Sequence, residues 1–229
     1  MNFVLLGAGK TGSVVAEIAG ERGHKVSIIE VEENANGAAL TRERLAGVDA
    51  VIDFTAPHAV LANIEATVKA GCNMVVGTTG WYSEMARVKS LVETHGTGFL
   101  WASNFSIGVN LFFDVVRAGA TALKYGYEGT IMERHHVHKK DKPSGTAVSI
   151  NNIVREIGGH EVEIASVREG ETVGMHVLML DSAADTILLT HDAKNRRGFA
   201  DGAVRASEWI AGKRGFYEFQ QIFRELSGA

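Results

Sequence analysis

The first hundred residues alternate between short apolar runs and segments whose apolar side chains recur at helical spacing. Such runs indicate strands, and the segments between them indicate helices. Strand and helix in regular alternation imply parallel crossovers, so the sequence predicts an α/β fold with a doubly wound parallel sheet. The predicted strands cover residues 2–6, 26–29, 50–54, 74–76 and 98–101.

After about residue 104 the rhythm changes. A helix over 108–123 leads to a strand near 129–133, a loop rich in His and Lys, and a helix that starts after Ser144. Gly and acidic residues separate the next strand-like runs, which predicts an antiparallel or mixed sheet in a smaller α+β domain. Those runs cover 162–167, 176–180 and 186–190, and a helix over 199–210 and an amphipathic stretch follow them.

Composition narrows the class of partner. The chain has 229 residues and a formal net charge of −4, so its one basic segment fits a small anionic ligand better than nucleic acid. Cys72 is the only cysteine, which favours a reducing compartment. The chain opens on a strand pattern without a charged leader, and no apolar run is long enough to span a membrane. We therefore expect a cytoplasmic protein with no membrane partner.

A glycine-rich turn joins the first predicted strand to the first predicted helix. Its pattern, Gly-x-Gly-x-x-Gly in that context, is typical of a backbone that closely approaches a pyrophosphate at a helix N-terminus. Glu30 ends the second strand, at the spacing of a carboxylate that bonds adenosine ribose hydroxyls. The alternative is a purely structural α/β turn. The predicted phosphate loop consists of Gly7, Ala8, Gly9, Lys10, Thr11 and Gly12.

The residues after Glu30 bear on the choice of cofactor. Val31, Glu32 and Glu33 follow it without an Arg or Lys, so a ribose phosphate would meet negative charge and no guanidinium. Lys10 is the only nearby cation that the sequence offers. We therefore expect NADH as the preferred cofactor, with NADPH as the second choice.

The segment 133–147 concentrates chemistry that could act on a bound anion. It places three imidazoles and three ammonium groups within eight residues, then turns through Pro-Ser-Gly into a helical pattern. Ser144 is the predicted N-cap, and the N–H groups that follow it can attract a carboxylate. Proton donors therefore stand beside a predicted carboxylate site.

These motifs resemble the 4-hydroxy-tetrahydrodipicolinate reductase family, also called dihydrodipicolinate reductase, of bacterial lysine and diaminopimelate synthesis. The likeness runs nearly from end to end, and the His-His-x-x-Lys-x-Asp-x-Pro-Ser-Gly-Thr run is its most specific part. Besides that run and the glycine loop, it rests on Asp53-Phe54-Thr55, Gly77-Thr78-Thr79-Gly80, residues 103–110 and residues 199–205.

The resemblance implies a Rossmann domain, expected over 1–105 and 207–229, and a substrate domain over 106–206 that also forms a homotetramer. It further implies nicotinamide contacts from Gly77, Thr78, Thr79, Ala102, Ser103, Asn104 and Phe105. Two departures argue against NADPH: the glycine loop is one residue shorter than the commoner form, and Val31 stands where the family often has Arg.

The resemblance also implies the reaction: hydride passes from NAD(P)H to a cyclic, unsaturated imine dicarboxylate, and a proton follows. His135 and Lys139 are the implied catalytic pair, although whether four residues bring them together depends on the local turn. His136, Ser144, Gly145 and Thr146 are the implied substrate contacts, and no metal is expected.

Several other polar residues stay open. Lys140 and Lys142 fit a solvated loop, His176 and His191 fit core or interface positions, and His138 fits a structural or a site role equally. Two alternative hypotheses remain: the chain is another nicotinamide-dependent dehydrogenase, or it is a dinucleotide sensor without catalytic activity.

Overall fold

The computed structural model describes residues 1–227, and they form two compact units. Unit 1 contains Met1–Ser106 and the described residues from Phe199 onward, and unit 2 contains Ile107–Gly198. The predicted fold class, a Rossmann-type parallel sheet plus a smaller domain with a mixed sheet, is confirmed.

Unit 1 is a six-stranded, wholly parallel sheet with helices between its strands. Strand order is β10-β5-β4-β3-β1-β2, so the direction of winding reverses between β1 and β3. Ligands bind such sheets at this reversal, beyond the carboxyl ends of the strands. The elements are β1 (Asn2–Leu6), α1 (Gly12–Glu21), β2 (Lys25–Ile29), β3 (Ala50–Asp53), α2 (Val60–Lys69), β4 (Met74–Val76), α3 (Met85–His95), β5 (Gly98–Trp101), α6 (Arg197–Ile210), β10 (Gly215–Glu218) and α7 (Phe219–Ile222).

The sheet of unit 1 is buried on both faces, which explains its continuous apolar strands. Phe3 and Leu5 belong to one core cluster, and Val4 and Leu6 belong to the other. Because side chains alternate along a strand, a single run of four apolar residues supplies both cores.

The last strand, β10, differs from the expectation for the C-terminal stretch. Its apolar residues suggested one amphipathic segment, but Gly215–Glu218 pairs in parallel with β5 and only Phe219–Ile222 is α-helical. A strand of four residues is too short to display a period of two, so tertiary pairing decides its conformation.

The return of the chain from the second domain to the first, expected at residue 207, also lies earlier, at Phe199 near the start of α6. Residues 199–206, expected in the second domain, belong to unit 1, because Ala200, Ala203 and Val204 are buried in its core. A Cβ added at Gly202 would lie 1.9 Å from the carbonyl oxygen of Phe105, so this helix packs directly on the backbone that leaves β5.

Unit 2 is a four-stranded mixed sheet of order β7-β6-β8-β9. β6 pairs in parallel with β7 and antiparallel with β8, and β8 pairs antiparallel with β9. One face packs against two helices around Ile131, Ile150 and Leu178. The elements are α4 (Ile107–Gly119), β6 (Glu128–His135), α5 (Gly145–Gly158), β7 (Glu163–Arg168), β8 (Gly174–Asp181) and β9 (Thr186–Ala193).

Helix α4 ends before the predicted 123, and Ala120–Tyr125 continues as a 3-10 helix. Among the helices of residues 1–227, none has both the length and the apolar character needed to cross a membrane.

Candidate functional site

The glycine turn after β1 is held by close backbone contacts. Gly7 has φ +84°, and a Cβ there would lie 2.4 Å from the carbonyl oxygen of Phe54. A Cβ at Gly12 would lie 1.9 Å from the carbonyl oxygen of Gly7. At Gly9 a Cβ would meet nothing within 4 Å, so packing does not explain that glycine. Two glycines therefore build the turn, and the third leaves its outer side open to a ligand.

A cavity of about 360 Å³ lies beside this turn in unit 1. A second cavity of about 190 Å³ shares Thr11, Phe54 and Gly77 with it, so the two form one groove. The predicted residues that line the groove are Gly9, Lys10, Thr11, Gly77, Thr78, Thr79, Ala102, Ser103, Asn104 and Phe105. Four residues that were not predicted to belong to the site also line the groove: Phe54, Thr55, Pro57 and Phe199.

A buried carboxylate organises the groove from below. Asp53 is fully buried at the end of β3 and accepts hydrogen bonds from Thr55 Oγ1 at 2.8 Å, Thr78 Oγ1 at 2.5 Å and Asn63 Nδ2 at 2.8 Å. Burial raises the pKa of Asp53, and these bonds oppose the rise. A Cβ at Gly77 would lie 2.3 Å from the Phe54 ring. The loops after β3 and β4 are thus locked together.

Glu30 is exposed at the end of β2 and does not line the groove. Near it, Arg44 Nη2 forms an ion pair with Glu33 Oε2 at 2.8 Å. Lys10 was expected to be the only cation near the carboxylates after β2, and this expectation is wrong, since the Arg44 guanidinium contacts Glu33. The two residues are eleven positions apart in the sequence, so no local pattern indicated the pair.

In unit 2, β6 carries the predicted catalytic residue His135 on its inward face, together with Glu133, to which the sequence assigned no role. Glu133 and His135 are both buried, two positions apart, as the strand period requires. His135 Nδ1 is hydrogen-bonded to Glu133 Oε2, and Arg168 Nη1 lies 2.8 Å from Glu133 Oε1. Residues Glu133, His135, Arg168 and His176 are called the histidine cluster below.

His176 connects this cluster to α5. Its ring lies 5.1 Å from that of His135, and its Nε2 is 3.1 Å from Ser144 Oγ. Burial and the neighbouring positive charges lower the pKa of His176 to about 3, so the ring is neutral. The core position expected for His176 is observed, but its contact with the candidate site was missed.

Ser144 is the N-cap of α5, as predicted. Its Oγ accepts from the Ala147 N–H at 3.3 Å and is hydrogen-bonded to His176 Nε2 at 3.1 Å. The hydroxyl is therefore occupied inside the protein. Gly145 and Thr146 are the other predicted anion contacts at this helix start.

The loop after β6 is a turn and not a helix. His136 is anchored by its N–H to the carbonyl oxygen of Thr172 at 2.8 Å, and the Lys139 N–H bonds the His136 carbonyl at 3.1 Å. Lys139 Nζ lies 2.8 Å from Asp141 Oδ1. Burial tends to raise the pKa of Asp141, but Lys139 and the Gly145 N–H lower it overall. The start of α5 thus already holds a carboxylate.

Three buried side chains could offer ligands to a metal ion. One atom each from Glu133, His135 and His176 lies within 4.8 Å of the others. However, Glu133 is already paired with Arg168, and the positive charge of Lys139 also acts on His135 and His176. A divalent cation would be repelled by these groups, so we interpret the cluster as a proton-bearing network.

Comparison with known proteins gives two adjoining family matches. Residues 1–105 match the family model described as dihydrodipicolinate reductase, N-terminus, and residues 108–223 match its C-terminus. A 4-hydroxy-tetrahydrodipicolinate reductase of Natronomonas pharaonis is 39% identical over 96% of this chain and 99% of its own. One of Christiangramia forsetii is 33% identical over 99% of each.

Solved structures agree on the fold. A dipicolinate-bound dihydrodipicolinate reductase from Paenisporosarcina sp. TG-14 superposes with a TM-score of 0.77 at 21% identity, covering 97% of this chain and 99% of that one. An amine dehydrogenase from Mycobacterium smegmatis gives 0.63 at 9% identity, covering 96% and 95%.

The buried His176 predicts a loss of stability in acid. The pKa of His176 is lowered in the folded state. Between pH 6.5 and about 3, His176 is therefore protonated in the unfolded chain but neutral in the folded chain. The contribution of the neutral His176 to the free energy of unfolding is therefore complete above pH 6.5. It declines as the pH falls toward 3, by about 1.4 kcal/mol per pH unit. We expect His176→Gln to flatten the pH dependence of the unfolding free energy in this window, measured by urea titration with circular dichroism.

His160→Gln is the matched control, because His160 is an exposed histidine of the same unit. An unchanged pH dependence in His176→Gln would show that the ring is not held neutral in the folded state.

Proposed function

Because the chain belongs to the dihydrodipicolinate reductase family, we propose that it reduces 4-hydroxy-tetrahydrodipicolinate to tetrahydrodipicolinate. The hydride comes from NAD(P)H, and the step belongs to bacterial lysine and diaminopimelate biosynthesis. The observation that carries the proposal is the conjunction of a buried His135–Glu133 pair with Lys139 and the anion-holding start of α5.

A nicotinamide dinucleotide fits the groove of unit 1. The open side of Gly9 and the N-terminus of α1, whose N-cap Thr11 makes no side-chain cap bond, suit a pyrophosphate. The loops at Gly77–Thr79 and Ala102–Phe105 suit the nicotinamide half, and the cofactor supplies hydride when bound. Glu30 suits a ribose diol. Arg44 is held by Glu33, so we keep NADH as the preferred cofactor and NADPH as the second choice.

A small dicarboxylate fits the groups of unit 2. The Paenisporosarcina relative has dipicolinate bound, which supports a substrate of this class. One carboxylate would be held at the start of α5 by Gly145 and Thr146, with Ser144 capping the helix beneath it. His136, anchored to Thr172 through its backbone, is the other proposed contact.

The protein's own acids complete the reduction. Addition of hydride leaves an electron-rich carbon that must gain a proton, and a positioned acid and a nearby cation both lower that barrier. We assign these roles to His135 and Lys139 together. Hydride transfer also requires contact between the substrate ring and the nicotinamide. The lone Cys72 agrees with work in the reducing cytoplasm.

The outer face of the mixed sheet supports a homotetramer. Met132, Val167 and Leu188 are exposed there, and the pairing register places Val177 and Met179 beside them. An exposed apolar sheet face of this kind marks an interaction surface. A second copy of the chain, with the same apolar face, is the occupant we propose.

The activity itself is tested by following nicotinamide oxidation with freshly generated pathway substrate. We expect turnover with both cofactors and a lower Michaelis constant for NADH, because the carboxylates after β2 repel a ribose phosphate. Tight cofactor binding without turnover would instead favour a sensor. Turnover on a different imino or aldehyde acid alone would favour another dehydrogenase.

The proposed acids are tested by His135→Ala and Lys139→Ala. Each is expected to lower turnover by roughly two or more orders of magnitude, the scale of a positioned acid–base group. Lys142→Ala is the matched control, because Lys142 is an exposed lysine of the same loop. Near-normal turnover in both folded alanine variants would remove the assignment.

The assembly is tested by light scattering. We expect the wild-type protein to be a tetramer and Leu188→Glu to give smaller species, because burying a carboxylate at the apolar face is costly. Tyr125→Glu changes another exposed residue of unit 2 and should stay tetrameric. A wild-type monomer would refute the proposed surface.

A further inference from the structure

Glu133 is a charged residue with no access to solvent. It lies on the inward face of β6, with its side chain 0% exposed. The parallel register of β6 and β7 places Arg168 opposite His135, so sheet pairing brings the guanidinium to the same carboxylate. Arg168 Nη1 is 2.8 Å from Glu133 Oε1, as an ion pair without well-aligned hydrogen-bond geometry.

The charge state of Glu133 fixes the proton on His135. Burial raises the pKa of Glu133, but contacts with Ser166, Arg168 and His135 outweigh it, and the pKa is lowered overall. An ionised carboxylate can only accept hydrogen bonds. The bond between Glu133 Oε2 and His135 Nδ1 therefore has its hydrogen on Nδ1. In the neutral ring Nε2 is then bare, and in the imidazolium Nε2 holds the proton that can leave.

The opposite edge of the ring is also fixed. A Cβ added at Gly174 would lie 2.8 Å from His135 Nε2 and 3.2 Å from Cδ2, so the ring lies directly over a glycine of β8. The His176 ring packs against it edge-on at 5.1 Å. His135 therefore has one orientation, with Nδ1 toward the carboxylate and Nε2 toward Gly174.

Arg168 joins this arrangement to the second proposed acid. Its Nη2 donates to the backbone carbonyl oxygen of Asp141 at 2.5 Å, and the Asp141 side chain binds Lys139 at 2.8 Å. One guanidinium thus bridges the partner of His135 and the partner of Lys139. Its side chain is 14% exposed and that of Glu133 is 0% exposed, so solvent screens their ion pair weakly.

The charged groups around His135 oppose one another. Burial lowers its pKa most, Glu133 raises it, and the positive charges of Lys139 and Arg168 lower it again, with a net decrease. His176 is neutral at the same face. A carboxylate without Arg168 would hold the imidazolium proton more firmly, so the ion pair makes His135 a stronger acid.

We propose that Glu133 and Arg168 are positioning residues that hold His135 in its Nδ1–H form and reserve Nε2 for exchange of the proton with substrate. The assignment of that proton to a substrate rests on the proposed function. The tautomer itself does not, because it follows from the contacts within unit 2.

The first test uses the wild-type protein and needs no turnover. Nitrogen-15 NMR of histidine-labelled protein above the pKa of His135 should show protonated Nδ1 and bare Nε2, with the resonance identified by its loss in His135→Gln. A ring with the proton on Nε2, or an equal mixture, would overturn the proposal.

The second test is Glu133→Gln. Its amide oxygen is expected to face the Arg168 guanidinium, which leaves the amide NH₂ to donate to His135 Nδ1. The tautomer should therefore invert. Turnover should fall about 100-fold, the scale of one positioned acid–base group, with both Michaelis constants within about threefold of wild type. Glu163→Gln, an exposed residue of β7, is the matched control.

Arg168→Met keeps the apolar stem and removes the charge. We expect it to raise the pKa read from the pH profile of turnover and to keep the Nδ1–H tautomer, because Glu133 still accepts that proton. A normal tautomer and pH profile in both variants would refute positioning. Absence of turnover in the wild-type protein would refute the proposed function. The tautomer of His135 would still show whether Glu133 and Arg168 position its ring.

Discussion

A carboxylate that is buried away from water must be stabilised by hydrogen-bond donors or positive charges within the protein. Two buried carboxyl groups organise this chain. Removing an ionised carboxylate from water costs far more than a single contact returns, so such groups are paired or lose their charge. Glu133 and Asp53 are both fully buried. Each stands at a strand end where the candidate chemistry lies, one in each unit.

The two carboxylates are compensated in opposite ways. Asp53 has only neutral donors, from Thr55, Thr78 and Asn63, and its pKa is raised by burial. Glu133 has a guanidinium and an imidazole as well, and its pKa is lowered. Neutral compensation suits a group that ties loops together, whereas ionic compensation creates a field that changes the acidity of a neighbour. Asp53 therefore holds the loops of the groove together, and Glu133 with Arg168 changes the pKa of His135.

Much of the fold was predictable because local patterns and tertiary structure agree. The five predicted strands of unit 1, the glycine turn and the Ser144 cap each follow from residues that are close in sequence. The features that were not predicted depend on pairing between strands that are far apart in the sequence. β10 exists because it pairs with β5, and Arg168 reaches Glu133 because β7 lies beside β6. Helical or alternating periodicity contains no information about which strands become neighbours.

The candidate site shows the same division. The motif 133–147 supplied His135, Lys139 and the helix start, but not the partners that give each of them a defined state.

The position of Asp141 has a consequence for ligand exchange. A carboxylate ligand at the start of α5 would meet the Asp141 carboxylate, which already contacts Lys139 and the Gly145 N–H. The ligand and Asp141 would therefore compete for the same positively charged and N–H groups. The net gain from binding such a ligand would therefore be smaller than its contacts alone suggest, because the contacts of Asp141 are lost when the ligand takes its place.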